Sequence, residues 1–309
     1  MTPEAPDSAR QALPAAPPAW LGIAPVLFLL FWSMGFVAVK LGLRHADPLS
    51  FLSVRYVCVI VLLLPVLLWL RPALPRSPMA WLHLAIVGLL MQAGYLSGTY
   101  LSMSFGMSAG AVALITAQQP ILMGLLAPLI AREHVDRLRW LGLALGVSGA
   151  VLVIGANSTI AFTLPGLLFA LLSLFSMTGG TLWEKRFGTP THPVVSSMVQ
   201  SAASLAVAAP LALTLEAGHL DGSPAFFAAL AYLVIANSII AISLLVTMIR
   251  YGEASRVSAF FFLIPPATAL IAYFLLGETM APWAWPGVAL AGLGIYLVMR
   301  EPRSAPRIR

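Results

Sequence analysis

Displaced against itself by 145 positions, the chain repeats its own punctuation without a gap. Lys40 falls on Lys185 and Gly35 on Gly180. Pro48, Pro65 and Pro120 fall on Pro193, Pro210 and Pro265, and Glu133 falls on Glu278. Trp140, Gly142 and Gly149 fall on Trp285, Gly287 and Gly294. Between these markers nearly every residue is apolar. Whatever fold accepts this chain must be built twice from one unit. Internal duplication in so apolar a chain is the signature of a carrier made of two structural repeats.

The composition excludes a water-soluble fold. The chain is 60% hydrophobic and 9% charged, with a mean hydropathy of +0.93, whereas soluble domains carry about 25% charged residues. Apolar runs of about 18 residues or more recur along it, each long enough to cross a hydrocarbon core of about 30 Å. The net charge of +6 sits in short loops between these runs. There it reads as a topology signal facing an anionic cytoplasmic leaflet, and no nucleic-acid partner is expected. The single cysteine, Cys58, rules out an intramolecular disulfide and reads as a small packed hydrophobe. The histidines are scattered without metal-ligand spacing, so neither a metal nor a cofactor is expected. Residues 1–19, rich in Pro and Ala, read as a disordered cytoplasmic tail. Glu4, Asp7 and the lack of a basic n-region argue against a signal peptide.

The reading is an all-α membrane protein of ten transmembrane helices. The expected spans are 20–41, 50–70, 79–103, 109–131 and 138–156, then 163–186, 191–215, 225–249, 256–276 and 283–300. Residues 20–156 form the first five-helix repeat and 163–300 the second, followed by a basic cytoplasmic tail over 301–309. Short Pro-, Gly- and charge-punctuated loops make sequential helices antiparallel neighbours. The cations collect in the even connections: Arg71 and Arg76, then Arg132, Arg137 and Arg139, then Lys185 and Arg186, then Arg250 and Arg256. Odd connections carry only Lys40 and Arg44. Positively charged loops stay cytoplasmic, which places both termini inside. An odd number of helices per repeat then obliges the second repeat to enter from the opposite side, so the repeats are inverted.

The motif Phe31-Trp32-Ser33-Met34-Gly35-Phe36-Val37-Ala38-Val39-Lys40 resembles the first helix of the EamA-type drug/metabolite transporter superfamily. Pro48 followed by Arg55 resembles its second helix. Pro265 through Leu275-Leu276-Gly277-Glu278 resembles its ninth, with Pro120 through Arg132-Glu133 as the first-half copy. The one departure is Ser33 after Trp32, where the family shows Gly. The resemblance covers almost all of the chain after residue 20. It implies a ten-helix carrier of small organic solutes, often moving them outward, in the bacterial inner membrane.

Polar groups at membrane depth are tolerated where they are buried or line a cavity. On the third helix Gln92, Tyr95 and Thr99 share one face, and the repeat partner of Gln92 is Asn237, followed by Ser238. Thr116 and Gln119 precede Pro120, which removes a backbone donor; Phe262 precedes the Pro265-Pro266 pair, expected to bend or break the ninth helix. Trp32 and Met34 are matched by Met177 and its neighbours, including Thr178. These twelve (Trp32, Met34, Gln92, Tyr95, Thr99, Thr116, Gln119, Thr178, Asn237, Ser238, Phe262, Pro265) are the candidate substrate-binding residues. Arg55, about a turn or more inside the second helix, reads as structural, either snorkelling outward or pairing with Asp47. No basic cluster at mid-depth argues against phosphorylated solutes. Gly142, Gly146 and Gly149 against Gly287, Ala291 and Gly294 predict close packing of the fifth and tenth helices.

The expected function is secondary transport, with small metabolites such as amino acids exported by alternating access. A multidrug efflux pump is the variant reading. A non-transporting scaffold or receptor is the alternative of a different class. A lipid-acting membrane enzyme would need a catalytic constellation that is absent from the sequence. The partners expected are a small-molecule substrate and membrane lipid. A monomer is expected, with an oligomer left open.

Overall fold

The computed structural model describes residues 22–123, 126, 137–156, 163–188, 190–241, 244, 248, 263–278, 281–282 and 284–299. The tails 1–19 and 301–309, Glu133 and Phe262 lie outside the described residues. The regular elements among them are all helices, apart from one isolated antiparallel bridge between Ala46 and Leu220.

Six helices are long and apolar enough to cross a membrane: α1 (Ala24–Gly42), α2 (Pro48–Leu70), α3 (Pro78–Ser104), α6 (Leu164–Phe187), α7 (Pro193–Leu215) and α8 (Pro224–Ala241). The shorter apolar helices are α4 (Ala109–Met123), α9 (Ile264–Leu276) and α10 (Ala284–Met299). The helix α5 (Arg137–Ala156) completes the chain order. Starts are marked as the local chemistry requires. Proline occupies the first turn of α1, α2, α3, α6, α7, α8 and α9, where its missing N–H would have been unpaired anyway. Ser77, Ser108, Thr163 and Ser223 each accept a backbone N–H of the turn they cap.

The double proline falls in the first turn of α9, with Leu263 as its cap. Both rings thus lie in the first described turn of this helix. Pro120 does interrupt: α4 is regular over Ala109–Thr116, then tightens where the Gln118 N–H donates to Ile115 O at 3.1 Å. A proline N cannot donate back to the carbonyl four residues earlier, and the ladder loosens there.

The most extensive helix contact among the described residues joins α5 to α10. A Cβ on Gly149 would come within 2.5 Å of Gly287 O, and one on Gly294 within 2.5 Å of Gly142 O. Small residues one turn apart let the two backbones touch, as their spacing implies. The contact of α3 with α6 comes next, followed by that of α2 with α7. The core around Phe36, Phe51, Tyr56, Tyr100 and Leu233 binds α1, α2, α3 and α8 together. Leu68, Trp69, Leu213 and Phe274 lie exposed on the outside, where apolar side chains meet lipid.

One end of the bundle is laced by hydrogen bonds. Between the α1–α2 and α7–α8 connections, the Asp47 N–H donates to His219 O at 2.9 Å and the Asp221 N–H to His45 O at 3.0 Å. His45 Nδ1 pairs with Asp221 Oδ2 at 2.6 Å. Glu216, at the end of α7, accepts from the Leu49 N–H (2.7 Å), the Ser50 N–H (2.8 Å) and the Ser50 hydroxyl (2.8 Å). It caps α2 from another helix, since the Asp47 side chain does not cap it. Lys40 Nζ donates to Met103 O (3.1 Å) and Met107 O (2.6 Å), and Glu278 accepts from the Ala109 N–H at 3.1 Å. Burial pushes the Glu278 carboxyl above the usual carboxylate range, with the Lys40 ammonium opposing. Thr163 Oγ1 donates to Phe105 O at 2.5 Å. The connections α1–α2, α3–α4, α5–α6, α7–α8 and α9–α10 therefore meet at this one end.

Candidate functional site

The two helices that carry the matched amides both widen from α to π geometry, α3 over Leu89–Gly94 and α8 over Tyr232–Ala241. Shifted by the repeat offset, the first segment falls inside the second. A π turn is uncommon and tends to occur at functional sites, because it redirects side chains out of the regular α register. In α8 the Ser238 hydroxyl donates to Leu233 O, five residues back, at 3.0 Å. Gln92 and Asn237 stand within these widened stretches.

Each amide meets a polar residue of the α2–α7 pair, and the two meetings join equivalent positions with the donor reversed. Arg55 Nη2 on α2 donates to Asn237 Oδ1 on α8 at 3.1 Å. Gln92 Nε2 on α3 donates to Gln200 Oε1 on α7 across a longer 3.4 Å. Arg55 and Gln200 are repeat equivalents, as Asn237 and Gln92 are. Ser201 Oγ adds a bond to Gln92 Oε1 at 3.2 Å. Arg55 also donates to Tyr100 Oη and Ser238 Oγ, both at 3.0 Å. The approach of Asn237 to α1 depends on Gly35, whose Cβ, were there one, would lie 2.6 Å from Asn237 Nδ2.

Around these groups is a cavity of about 200 Å³. It has room for on the order of ten waters or for one small organic molecule. Four equivalent pairs line it: Trp32 with Met177, Arg55 with Gln200, Tyr56 with Ser201, and Gln92 with Asn237. Both repeats thus contribute the same positions to one chamber. Its walls are otherwise largely apolar, including Phe36, Val39, Val59 and Leu233. No carboxylate is among its described lining residues.

Of the candidate residues, Trp32, Gln92, Tyr95, Thr99, Asn237 and Ser238 line this cavity. Met34 packs against the main core. Thr116 and Thr178 are buried and donate to Val112 O at 2.9 Å and Leu174 O at 2.7 Å, satisfied by their own helices. Gln119 Nε2 donates to Thr181 Oγ1 at 2.9 Å, and Pro265 is buried in the first turn of α9. Arg55 requires a correction. It is buried, at 5% exposure, and turned into the chamber instead of snorkelling outward. Asp47 is eight residues away, about 12 Å along a helix, and its carboxylate accepts from the His219 N–H at 2.8 Å. The cavity also uses Gln200 and Ser201. Their signal was available, since Gln200 is the repeat partner of Arg55 and two polar residues at one depth in both halves point to a shared environment.

The model of the EamA-like transporter family matches the chain twice, over residues 20–155 and 164–300. The chain belongs to the EamA-like transporter family. It is therefore an integral membrane transporter and not an enzyme, and a small molecule is what such a chamber holds. A probable amino-acid metabolite efflux pump of Salmonella typhimurium is 26% identical over 289 residues, covering 89% of this chain and 93% of the relative. An inner membrane transporter of Escherichia coli K12, itself uncharacterized, is 25% identical over 295 residues, covering 92% of this chain and 94% of the relative. A solved crystal structure shares the fold with a TM-score of 0.63 at 16% identity, covering 90% of this chain and 95% of that one.

Proposed function

We propose that this EamA-family transporter exports small organic metabolites, amino acids among them, across a bacterial inner membrane by alternating access. On this reading it has ten spans in two inverted five-helix repeats, with both termini in the cytoplasm. The observation that carries the reading is the chamber lined by equivalent residues of the two halves, beside two equivalent π segments. A carrier that opens to each side in turn needs its site on the axis relating its repeats. Support for inversion comes from the laced end. The α1–α2 connection bonds to the α7–α8 connection there, while its own repeat equivalent is the α6–α7 connection, at the far end of α7. Support for the metabolite class comes from the relative named as a probable amino-acid metabolite efflux pump.

Counterflow in proteoliposomes with labelled amino acids tests this, with Gln92→Ala and Asn237→Ala alongside. Exchange of one chemical class, reduced at least about tenfold in both variants while they remain folded, is the expected result. Exchange that survives both substitutions would remove the site. Transport of structurally unrelated drugs in place of any metabolite would replace metabolite export with multidrug efflux.

A further inference from the structure

Arg55 is a permanent cation buried in the chamber and held by neutral oxygens alone: Tyr100 Oη, Asn237 Oδ1 and Ser238 Oγ. Burying an uncompensated charge is expensive, and buried charges are ordinarily paired. Among the described residues Arg55 has no carboxylate partner, and the three contacts leave two of its five N–H groups without a protein acceptor.

The other half of the molecule shows that packing does not demand this charge. At the equivalent position Gln200 makes the equivalent crossing contact, from α7 to the amide of Gln92, with a neutral side chain. A residue that tied α2 to α8 and did nothing more could equally be a glutamine. Among the four equivalent pairs that line the chamber, this is the one in which a single member carries a charge.

Resting on the carrier reading above, we propose that Arg55 is the anchor for a substrate carboxylate, and that the chamber takes monocarboxylates with an apolar or aromatic body. A planar guanidinium with free N–H groups matches a carboxylate in shape and charge. The stoichiometry favours a monoanion. One carboxylate neutralises one guanidinium, whereas a phosphate dianion would leave a net negative charge buried among Val39, Val59 and Leu233. The body of the solute lies against Trp32, Phe36 and Leu96, which supply the apolar wall. An ammonium beside the carboxylate meets only neutral oxygens, such as those of Gln92 and Ser197, so it is tolerated and not required.

The test uses purified full-length protein in nanodiscs and four probes with one body and different heads: 3-phenylpropionate, phenylalanine, phenylalaninamide and phenethylamine. The acids are expected to bind at least about tenfold more tightly than the amide and the amine, with 3-phenylpropionate no weaker than phenylalanine. Arg55→Gln should bring the acids down to the level of the amide, and Arg55→Lys should recover part of the difference. Amide or amine binding as tightly as the acids, or no acid binding, overturns the proposal on the wild-type protein alone, whatever the variants do. Acids binding Arg55→Gln unchanged overturns it too. Proteoliposome flux separates this from the carrier reading. Transport of the uncharged or cationic probes in preference to the acids sinks the anchor and leaves the carrier. Tight, Arg55-dependent binding of acids with no flux of any solute sinks the carrier and leaves the anchor.

Discussion

Replacing Glu216 tests how far the laced end stabilises the fold. Its carboxylate takes the Leu49 and Ser50 N–H groups and the Ser50 hydroxyl, all within 2.8 Å. Those N–H groups belong to residues only 3% and 8% exposed, so Glu216→Ala leaves two donors with little water to turn to. A buried donor without an acceptor costs about 1–3 kcal/mol, and loss of a helix cap costs about 0.5–2 kcal/mol. These are two descriptions of one loss. Allowing for water entering the gap, Glu216→Ala should destabilise by about 2–4 kcal/mol. Glu216→Gln keeps one good acceptor and loses the charge that complements the start of α2, so it should cost about 1–2 kcal/mol. Equilibrium unfolding in mixed micelles measures both, and Ser50→Ala in combination isolates the hydroxyl. Wild type, Gln and Ala should fall in that order of stability. Values within about 0.5 kcal/mol of wild type for both variants would refute the idea that this carboxylate caps α2.

Gly149→Leu should destabilise the α5–α10 contact by at least about 2 kcal/mol, because the obstacle is backbone that cannot yield. Gly292→Ala, in the same pair of helices but with nothing within 4 Å, should be neutral or mildly stabilising in the same unfolding assay. Asp221 gives a pH dependence. The Ser223 backbone N–H, and after it His45, holds its carboxyl down from 3.8 to about 2. A lowered carboxyl contributes stability above its unfolded value and loses it as pH falls through the folded one, here between about 4 and about 2. Asp221→Asn should erase that acid limb in thermal midpoints taken from pH 6 to pH 2, and parallel curves would count against the His45 clasp. Gly35→Ala should push the Asn237 amide off Arg55, cutting flux several-fold while the protein stays folded; unchanged counterflow would show that the amide has room to move.

Much of the architecture could be read from residue order. Pro, Gly and charge punctuate the apolar runs, so the helix boundaries of α2, α3 and α7 fall within about two residues of expectation. The fifth and tenth helices touch where their glycines said they would. The chamber was half visible: the amides Gln92 and Asn237 stand out at equal depth in an apolar background. Thr116 and Thr178 look equally polar in sequence, yet each folds its hydroxyl back onto its own helix. Nothing in residue spacing distinguishes that from a hydroxyl facing a cavity. Arg55 was misread for a related reason. Depth along a helix can be counted, but in a helix apolar on every side the direction of one side chain is decided by its neighbours, here Tyr100 on α3 and Asn237 on α8.

The π segments also bear on how the two halves came to match. Widening an α-helix to π geometry accommodates an extra residue. An insertion in one half alone would move every later marker out of step by one. Lys40 and Pro65, before the first segment, and Pro120 and Trp140, after it, all find their partners at the same displacement. The constant displacement is what two copies that both carry the widening would show, and both carry it. The irregular turn is thus a feature the two repeats have in common, while positions 55 and 200, arginine against glutamine, are a place where they differ.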